Sequence, residues 1–271
     1  MKAKFTFVSV VIPCYKAAAV IRRAVASVVS QTMRPAEVIL VDDASGDGTL
    51  DAIKEIKREY GDWIRIVELL SNSGAAAARN AGWEVATQPF VAFLDADDTW
   101  HPEKIRIQYD FMHLNPDVAL SGHQCVLFTG QYEICPRHPL ENRPIRPSNM
   151  LFRNPFSTPT VMLKREVPFR FSNNLRYAED FNLWLNVGFS GLKIVRLEWP
   201  LAFVHKPFYG AGGLSSHLWK MEVGELRNFY LLLQDKKISF SMCVMAQIFS
   251  LLKFMKRLMI AQLRMAFGRT G

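Results

Sequence analysis

The sequence lacks several patterns that mark common protein classes. Its four cysteines, Cys14, Cys125, Cys135 and Cys243, show no CxxC or Cys/His spacing, which argues against a zinc site or a disulfide framework and favours reduced, mostly buried thiols. No GxGxxG follows the first predicted strand and no GxxxxGKS/T occurs, so neither a dinucleotide fingerprint nor a P-loop is found. No secretory signal opens the sequence. We therefore expect a cytosolic protein that would bind any nucleotide by other means.

The composition is that of a globular protein with a surplus of positive charge. With 271 residues, 49% of them hydrophobic and 21% charged, the chain can bury a full core as one large domain or two small ones. The formal charge of +8 predicts anionic partners, which include nucleic acid, nucleotides and lipid headgroups. The distribution of the charge along the chain is needed to choose among them.

The first hundred residues alternate between apolar runs typical of strands and segments with helical spacing. Strands are predicted at 8–13, 37–41, 64–69 and 90–94, and helices at 17–31, 49–60 and 73–86. Strands separated by helices at this spacing predict a parallel sheet that is covered on both faces. This part of the chain therefore reads as a Rossmann-like α/β unit.

Polar loops follow three of these strands. They begin at Pro13, at Asp42 and at Asp95. Because ligands of parallel sheets collect at the carboxyl ends of the strands, we expect the three loops to converge on one edge. The last loop holds Asp95, Asp97 and Asp98, whose charges repel one another unless a positive group lies among them.

A divalent cation would explain this acidic loop. Mg²⁺ and Mn²⁺ are commonly held by one or two carboxylates, with substrate phosphates completing the shell, so Asp95 and Asp97 predict a metal that bridges a diphosphate. Alternatively, Asp98 or Thr99 caps a helix that Pro102 begins. The cap accounts for one acid and not for three.

A second acidic pair opens a predicted helix at 178–185. Glu179 and Asp180 can simply complement the helix dipole, or one of them can remove a proton from an attacking hydroxyl. The second role needs only a modest rise of the pKa, which burial or a neighbouring acid would supply. The acidic loop upstream favours the catalytic interpretation.

Two strands, at 192–197 and 201–205, precede a glycine-rich segment at 210–216. The segment is either a lid that orders when ligand binds or an ordinary turn. His205 and Lys206 stand just before it. His205 is a candidate third metal ligand, and Lys206 is a candidate partner of a diphosphate.

The C-terminal segment differs from everything before it. From Lys236 to Gly271 it carries seven basic residues and no acid. On a helical wheel Lys253 and Arg257 fall on one side and apolar residues cover most of the rest. Its longest charge-free run, 238–252, is shorter than the roughly 20 residues that span a bilayer. The pattern favours a helix lying on an anionic membrane, and the alternative is a helical hairpin packed on the body with solvated lysines.

Several motifs occur in an order that resembles one enzyme family. They are VSVVIPCY at 8–15, SQT at 30–32, VDDASGDGT at 41–49, ARNAG at 78–82, FLDADD at 93–98, AED at 178–180 and GLSS at 213–216. Together they resemble the family 2 glycosyltransferases of the GT-A fold. The resemblance implies a Rossmann-like, mixed and mainly parallel sheet with flanking helices and a C-terminal helical extension. It divides the chain into a nucleotide-sugar-binding half at 1–115, an acceptor-binding half of the same domain at 116–218, and basic amphipathic helices at 219–271.

The resemblance also implies a role for each matching residue on the donor side. Pro13 and Tyr15 match the segment that borders the nucleotide base, and Asp43 matches the aspartate that accepts from uracil. Arg79 matches an arginine near the nucleotide and diphosphate, although it could instead pair with Asp42 or Asp98. Asp95 and Asp97 match the DxD motif that positions the metal, with Asp97 as the direct ligand.

On the acceptor side, the resemblance assigns the transfer chemistry to the helix at 178–185. Asp180 matches the catalytic base. Glu179 and Trp184 are expected at the acceptor site. A base at this place would remove the proton of the acceptor hydroxyl as that oxygen attacks the anomeric carbon opposite the leaving nucleotide, which inverts the configuration.

The leading hypothesis is an inverting transferase that depends on Mn²⁺ or Mg²⁺ and moves one sugar from a nucleotide-diphosphate sugar to a glycan. The favoured donor is a UDP-sugar, and the acceptor is a hydroxyl of a lipid-linked, lipopolysaccharide or capsule glycan. The QxxRW motif and membrane spans of processive synthases do not occur in the sequence. We expect the protein in the cytoplasm, on the inner face of the cell membrane. One alternative is a nucleotidyltransferase, which would need a Gly/Lys-rich loop after strand one. The other is a non-catalytic protein that binds nucleic acid or membrane through its basic surface.

Overall fold

The computed structural model describes residues 5–130, 141–206 and 217–267, with side chains described as far as residue 259. The strands are β1 (Phe5–Cys14), β2 (Arg34–Asp42), β3 (Ile64–Glu68), β4 (Phe90–Phe93), β5 (Thr99–Trp100), β6 (Val118–Leu127), β7 (Asn142–Pro144), β8 (Met162–Lys164) and β9 (Lys193–Val204). The helices are α1 (Ile21–Val29), α2 (Thr49–Tyr60), α3 (Gly74–Val85), α4 (Lys104–Leu114), α5 (Pro147–Met150), α6 (Glu179–Phe189), α7 (Leu218–Gln234) and α8 (Phe240–Phe267).

The described strands form one mixed sheet in the order β3-β2-β1-β4-β8-β6-β9-β5, and β7 pairs with β9. The first part is parallel, because β1 pairs in parallel with β2 and β4, and β2 with β3. Strand β8 then runs antiparallel to both β4 and β6, whereas β9 is parallel to β6. The mixed α/β fold expected from the sequence is confirmed, and strands from both expected halves share this sheet.

Successive residues of the central strands alternate between two hydrophobic clusters. Val11 and Ile39 belong to the cluster that contains residues of α3 and α6, whereas Val10 and Leu40 belong to the cluster with residues of α1, α2 and α4. Side chains of a strand point to opposite faces in turn, so a continuous apolar run is what a sheet covered on both faces requires. With both faces covered, the carboxyl edge is left for ligands.

Two local predictions were wrong. The helix after the acidic loop begins at Lys104 with Glu103 at its N-cap, so neither Asp98 nor Thr99 caps it. The strands expected at 192–197 and 201–205 are the single strand β9, although Pro200 lies within it. Pro200 sits beside register shifts between β6 and β9, where a regular ladder hydrogen bond is not needed.

Helices α7 and α8 pack together as a hairpin on the body of the protein. Lys253 of α8 lies 2.8 Å from Glu225, and Arg257 lies 3.0 Å from Glu222, so both cations face α7. The hairpin is the alternative that the sequence offered, with the difference that Lys253 and Arg257 pair with glutamates of α7. No helix in the described part of the chain is apolar enough over a sufficient length to cross a membrane.

Candidate active site

The loops after β1 and β2 are tied together at the carboxyl edge of the sheet. The amide of Lys16 donates to the Ser45 hydroxyl at 3.2 Å, and the amide of Ala17 donates to the Thr49 hydroxyl at 2.8 Å. Lys16 itself has a φ of 51°, in the left-handed region that non-glycine residues adopt only at a cost. These contacts fix the shape of the edge where the sequence predicts a nucleotide.

Pro13, Tyr15 and Asp43 lie at this edge as expected. Pro13 pairs with Val41 in the parallel ladder, and the ring of Tyr15 is 48% exposed, with the Lys16 ammonium 5.5 Å from its centroid. Asp43 is only 2% exposed, and its carboxylate oxygens accept from the amides of Ser73 and Gly74 at 2.7 and 2.8 Å. Asp43 therefore organises the start of α3, where the helix dipole favours a negative charge. Its contact with uracil stays a prediction.

Arg79 connects the acidic loop to the second acidic pair. Its guanidinium donates to Asp95 Oδ1 at 2.8 Å and to Glu179 Oε1 at 2.9 Å. It pairs with neither Asp42 nor Asp98, which were the alternatives. The side chain is 7% exposed; burial disfavours its charge, but the attraction of Asp95 and Glu179 outweighs burial and raises the pKa of Arg79. Part of the positive charge missing from the acidic loop therefore comes from the protein itself.

The other two acids of the loop are also compensated. Asp97 lies 3.2 Å from the Lys206 ammonium, and its carbonyl accepts from the guanidinium of Arg23 at 2.7 Å. Asp98 is buried, and burial together with the charges of Asp95 and Asp97 raises its pKa to about 9. Asp98 is consequently protonated near neutral pH, which lowers the repulsion within the loop. The sequence held no signal for Arg23, which reaches the loop from α1.

Asp180 stands at the start of α6 with a constrained carboxylate. Its oxygens accept from the Thr158 hydroxyl at 3.2 Å and from the Phe181 amide at 2.6 Å. Burial first and Glu179 second raise the pKa of Asp180 to about 6, in the direction the sequence analysis expected. The preceding residue, Ala178, has φ 56° and ψ 28°, a left-handed conformation that holds the acidic pair in place at a cost. Thr158 was missed because no sequence pattern links it to Asp180.

Two predicted residues have different surroundings from those expected. Trp184 is 0% exposed and packs edge-on against Phe171 at 5.8 Å between ring centroids, so it belongs to the core and does not face an acceptor. A tryptophan on an amphipathic helix is more easily buried than displayed. The Nε2 atom of His205 lies 2.9 Å from the Thr99 hydroxyl. The glycine-rich segment at 210–216 lies outside the described residues.

The fit of a divalent metal can be judged from the oxygen atoms available. Among the residues the structure describes, no group of three His, Cys, Asp or Glu side chains could hold a metal, so His205 does not complete a protein-only site. The side chains of Asp95 and Asp97 are 29% and 41% exposed, and Arg79 occupies one oxygen of Asp95. This donor set fits Mg²⁺ or Mn²⁺, which accept one or two carboxylates when phosphates supply further ligands.

Solved structures with a similar architecture identify the fold. The chain matches the structure of S. aureus TarS 1-349 with a TM-score of 0.64 and 21% identity over 92% of this chain and 70% of that one. It matches the mannosyltransferase PcManGT from Pyrobaculum calidifontis, solved with GDP-Man and Mn²⁺, with a TM-score of 0.65 and 21% identity over 100% and 77% of the two chains. The fold is the GT-A fold of glycosyltransferases.

The sequence comparison gives the family. Residues 9–174 match Glycosyl transferase family 2, and the chain belongs to this family and is a glycosyltransferase. Relatives include the UDP-Glc:alpha-D-GlcNAc-diphosphoundecaprenol beta-1,3-glucosyltransferase WfgD of Escherichia coli, 31% identical over 188 residues, which are 66% of this chain and 69% of WfgD. The amylovoran biosynthesis glycosyltransferase AmsB of Erwinia amylovora is 30% identical over 209 residues, 73% of this chain and 69% of AmsB. The family resemblance inferred from the motifs is confirmed.

Proposed function

We propose that this glycosyltransferase moves a single sugar, with inversion, from a UDP-sugar to a hydroxyl of a lipid-linked glycan. The observation that carries the proposal is the chain of contacts from Asp95 through Arg79 to Glu179, which couples the acidic loop to the helix that bears Asp180. A donor held at the loop and a base held on α6 would then keep a fixed relative position. Fixed positions of two reacting groups account for much of enzymatic rate enhancement.

Asp180 is the proposed general base. Its pKa of about 6 leaves it ionised near neutral pH while keeping it basic enough to take a proton from a hydroxyl. The bonds from Thr158 and the Phe181 amide hold the carboxylate in one orientation. An acceptor oxygen that loses its proton to Asp180 would attack the anomeric carbon on the face opposite the nucleotide, which gives the inverted product.

Asp95 and Asp97 are the proposed holders of Mg²⁺ or Mn²⁺. When bound, such an ion neutralises the charge that develops on the leaving diphosphate. Lys206, now 3.2 Å from Asp97, is proposed to turn to the diphosphate when the donor enters. Tyr15, with its exposed ring, is the proposed neighbour of the uracil ring of the nucleotide.

The acceptor class is supported by relatives and by the surface of α8. WfgD, by its name, transfers glucose to a diphosphoundecaprenol-linked sugar. Met245, Ile248 and Leu252 of α8 are exposed apolar side chains, which would suit contact with a membrane where such acceptors reside. We therefore propose peripheral association with the inner face of the cell membrane.

The proposal is tested with Asp180→Asn. We expect transfer from UDP-sugars to be lost while calorimetric donor affinity stays unchanged, because the amide keeps the shape but cannot accept the proton. Asp51→Asn is the matched control, since Asp51 also lies in the first turn of a helix, α2, and should leave transfer intact. Transfer that survives in Asp180→Asn, or donor affinity that falls with it, would refute the assigned role.

A further inference from the structure

A cavity of about 420 Å³ lies apart from the acidic loop and is lined by four arginines. They are Arg143 of β7, Arg196 of β9, and Arg146 and Arg153 on either side of α5. The described residues that complete its lining include no acid. We call this feature the arginine cavity.

The positive charge of the arginine cavity is poorly compensated within the described chain. Arg143 and Arg196 are direct cross-strand partners, an arrangement that is unfavourable for like charges. Arg196 lies 3.4 Å from Glu198, which also accepts from Gln124 at 2.9 Å. The other three arginines form no salt bridge with a described acid. Guanidinium groups bind phosphate in a bidentate manner, so a phosphorylated ligand would relieve this repulsion.

An apolar groove of about 630 Å³ begins beside the arginine cavity. Its lining residues are Phe152, Phe240, Ser241, Val244, Met245, Ile248, Phe249 and Leu252. Phe152 packs against Phe249 at 5.3 Å between ring centroids and is followed in the chain by Arg153, which lines the arginine cavity. The groove and the cavity therefore meet at consecutive residues.

Helix α8 buries Ala246 and Phe254 but leaves a second set of apolar side chains, among them Met245, Ile248 and Leu252, exposed. Its cations Lys253 and Arg257 point to Glu225 and Glu222 of α7 instead of lying on this exposed face. A surface helix normally buries its apolar stripe, so this face is expected to be covered by apolar matter. The neighbouring arginines indicate the chemistry of the ligand that covers this face, because they require a negative charge at one end of the groove.

The same segment of chain leads from the arginine cavity to the proposed base. Pro155 lines the cavity, and Thr158, three residues later, donates to Asp180 at 3.2 Å. Three residues span at most about 11 Å, which is the scale of a sugar joined to a diphosphate. A phosphate in the cavity would therefore lie within reach of the reacting hydroxyl.

We propose that the arginine cavity binds the phosphate or diphosphate of the acceptor, and that the groove on α8 binds the lipid chain attached to it. This inference rests on the proposed transfer to a lipid-linked glycan and names the residues that recognise the linkage. The ligand is an anionic amphiphile with its phosphate at Arg146 and Arg153. The sugar end points to Asp180.

The test uses the full chain in metal-free buffer, so that the donor site contributes little to phosphate binding. Calorimetry compares farnesyl diphosphate, inorganic pyrophosphate and farnesol. For Arg146→Gln/Arg153→Gln we expect both diphosphates to bind at least about tenfold more weakly than to wild type, as the loss of charge-assisted hydrogen bonds implies. Both arginines are exposed, so the variant should fold. Arg58→Gln/Arg165→Gln removes equal charge from exposed sites elsewhere and should bind like wild type.

A second variant distinguishes binding of the lipid chain from binding of the phosphate groups. Met245→Ser/Leu252→Ser, at exposed groove positions, should weaken farnesyl diphosphate and leave pyrophosphate unchanged. Equal binding of farnesyl diphosphate by wild type and Arg146→Gln/Arg153→Gln would overturn the proposal. So would pyrophosphate or farnesol binding as tightly as farnesyl diphosphate. The affinity of the same variants for UDP-sugars with Mn²⁺ should not change. If the wild type itself did not bind a UDP-sugar, the proposed function would be refuted and not the role of the arginine cavity.

Discussion

Arg79 and Arg22 each contact two carboxylates, but the contacts of Arg79 are largely buried and those of Arg22 are exposed. Arg79 contacts Asp95 and Glu179, and the side chains of Arg79 and Glu179 are 7% and 9% exposed. The substitution Arg79→Met keeps an unbranched apolar side chain and removes the charge. The carboxylate of Glu179 then remains buried without its cation.

The size of the effect follows from that burial. Removing one partner of a buried pair destabilises a protein by about 3–5 kcal/mol, which corresponds to a fall in Tm of about 6–20 °C for a chain of this length. Arg22 is the matched control, because it also contacts two carboxylates, Glu55 and Glu59, at 2.7 and 3.1 Å, but with side chains at least half exposed. Exposed pairs contribute about 0–1 kcal/mol, so Arg22→Met should hardly change the Tm.

Thermal unfolding followed by circular dichroism measures both variants under the same conditions. Adding Glu179→Gln to Arg79→Met should restore part of the lost stability, since the unpaired buried charge is then removed. Because Arg79 lowers the pKa of Asp180, the midpoint of the pH–rate profile should also move upward in Arg79→Met. Equal Tm values for Arg79→Met and Arg22→Met would refute the reasoning.

Three further predictions concern pH and packing. Transfer by the wild type should fall as pH drops through about 6, the pKa of Asp180, and a pH–rate profile flat down to roughly pH 4 would contradict its role as base. The pKa of Asp98 rises from 3.8 to about 9 on folding, so the stability of the folded state falls as pH increases between those two values. Asp98→Asn, which cannot ionise, should therefore raise the Tm at pH 8 and not at pH 4. An equal Tm of variant and wild type at pH 8 would count against burial as the cause of the raised pKa. A Cβ at Gly82 would lie 2.5 Å from Val11 and 3.0 Å from Val41, so Gly82→Ala should cost about 1–3 kcal/mol in denaturant unfolding, and an unchanged midpoint would show that the core yields.

The sequence predicts the parallel part of the fold well because its signals are local. Apolar runs and helical spacing identify β1 to β4 and α1 to α3, and α2 begins at Thr49 and ends at Tyr60 as predicted. Strands β7 and β8 have three residues each and were not predicted. They depend on pairing with distant strands, which a local pattern does not encode.

The site divides in the same way. The acids could be located because they are clustered in sequence, but the partners that set their charge come from far along the chain. Arg79 meets Glu179 across 100 residues, and Arg23 meets Asp97 across 74. The helical wheel separated the two faces of α8 correctly and still could not tell which face is covered, because that depends on the glutamates of α7.

We propose that Asp95 and Asp97 hold a metal together with a nucleotide-sugar diphosphate. The most direct measurement is the Tm of the wild type and of Asp97→Ala with a panel of nucleotide sugars, each with and without Mn²⁺. A UDP-sugar at about 100 times its Kd should stabilise the wild type by about 2.7 kcal/mol when Mn²⁺ is present. The shift should shrink without Mn²⁺ and disappear in Asp97→Ala. A wild-type Tm that no nucleotide sugar raises, or an equal rise in Asp97→Ala, would contradict this role of the two aspartates.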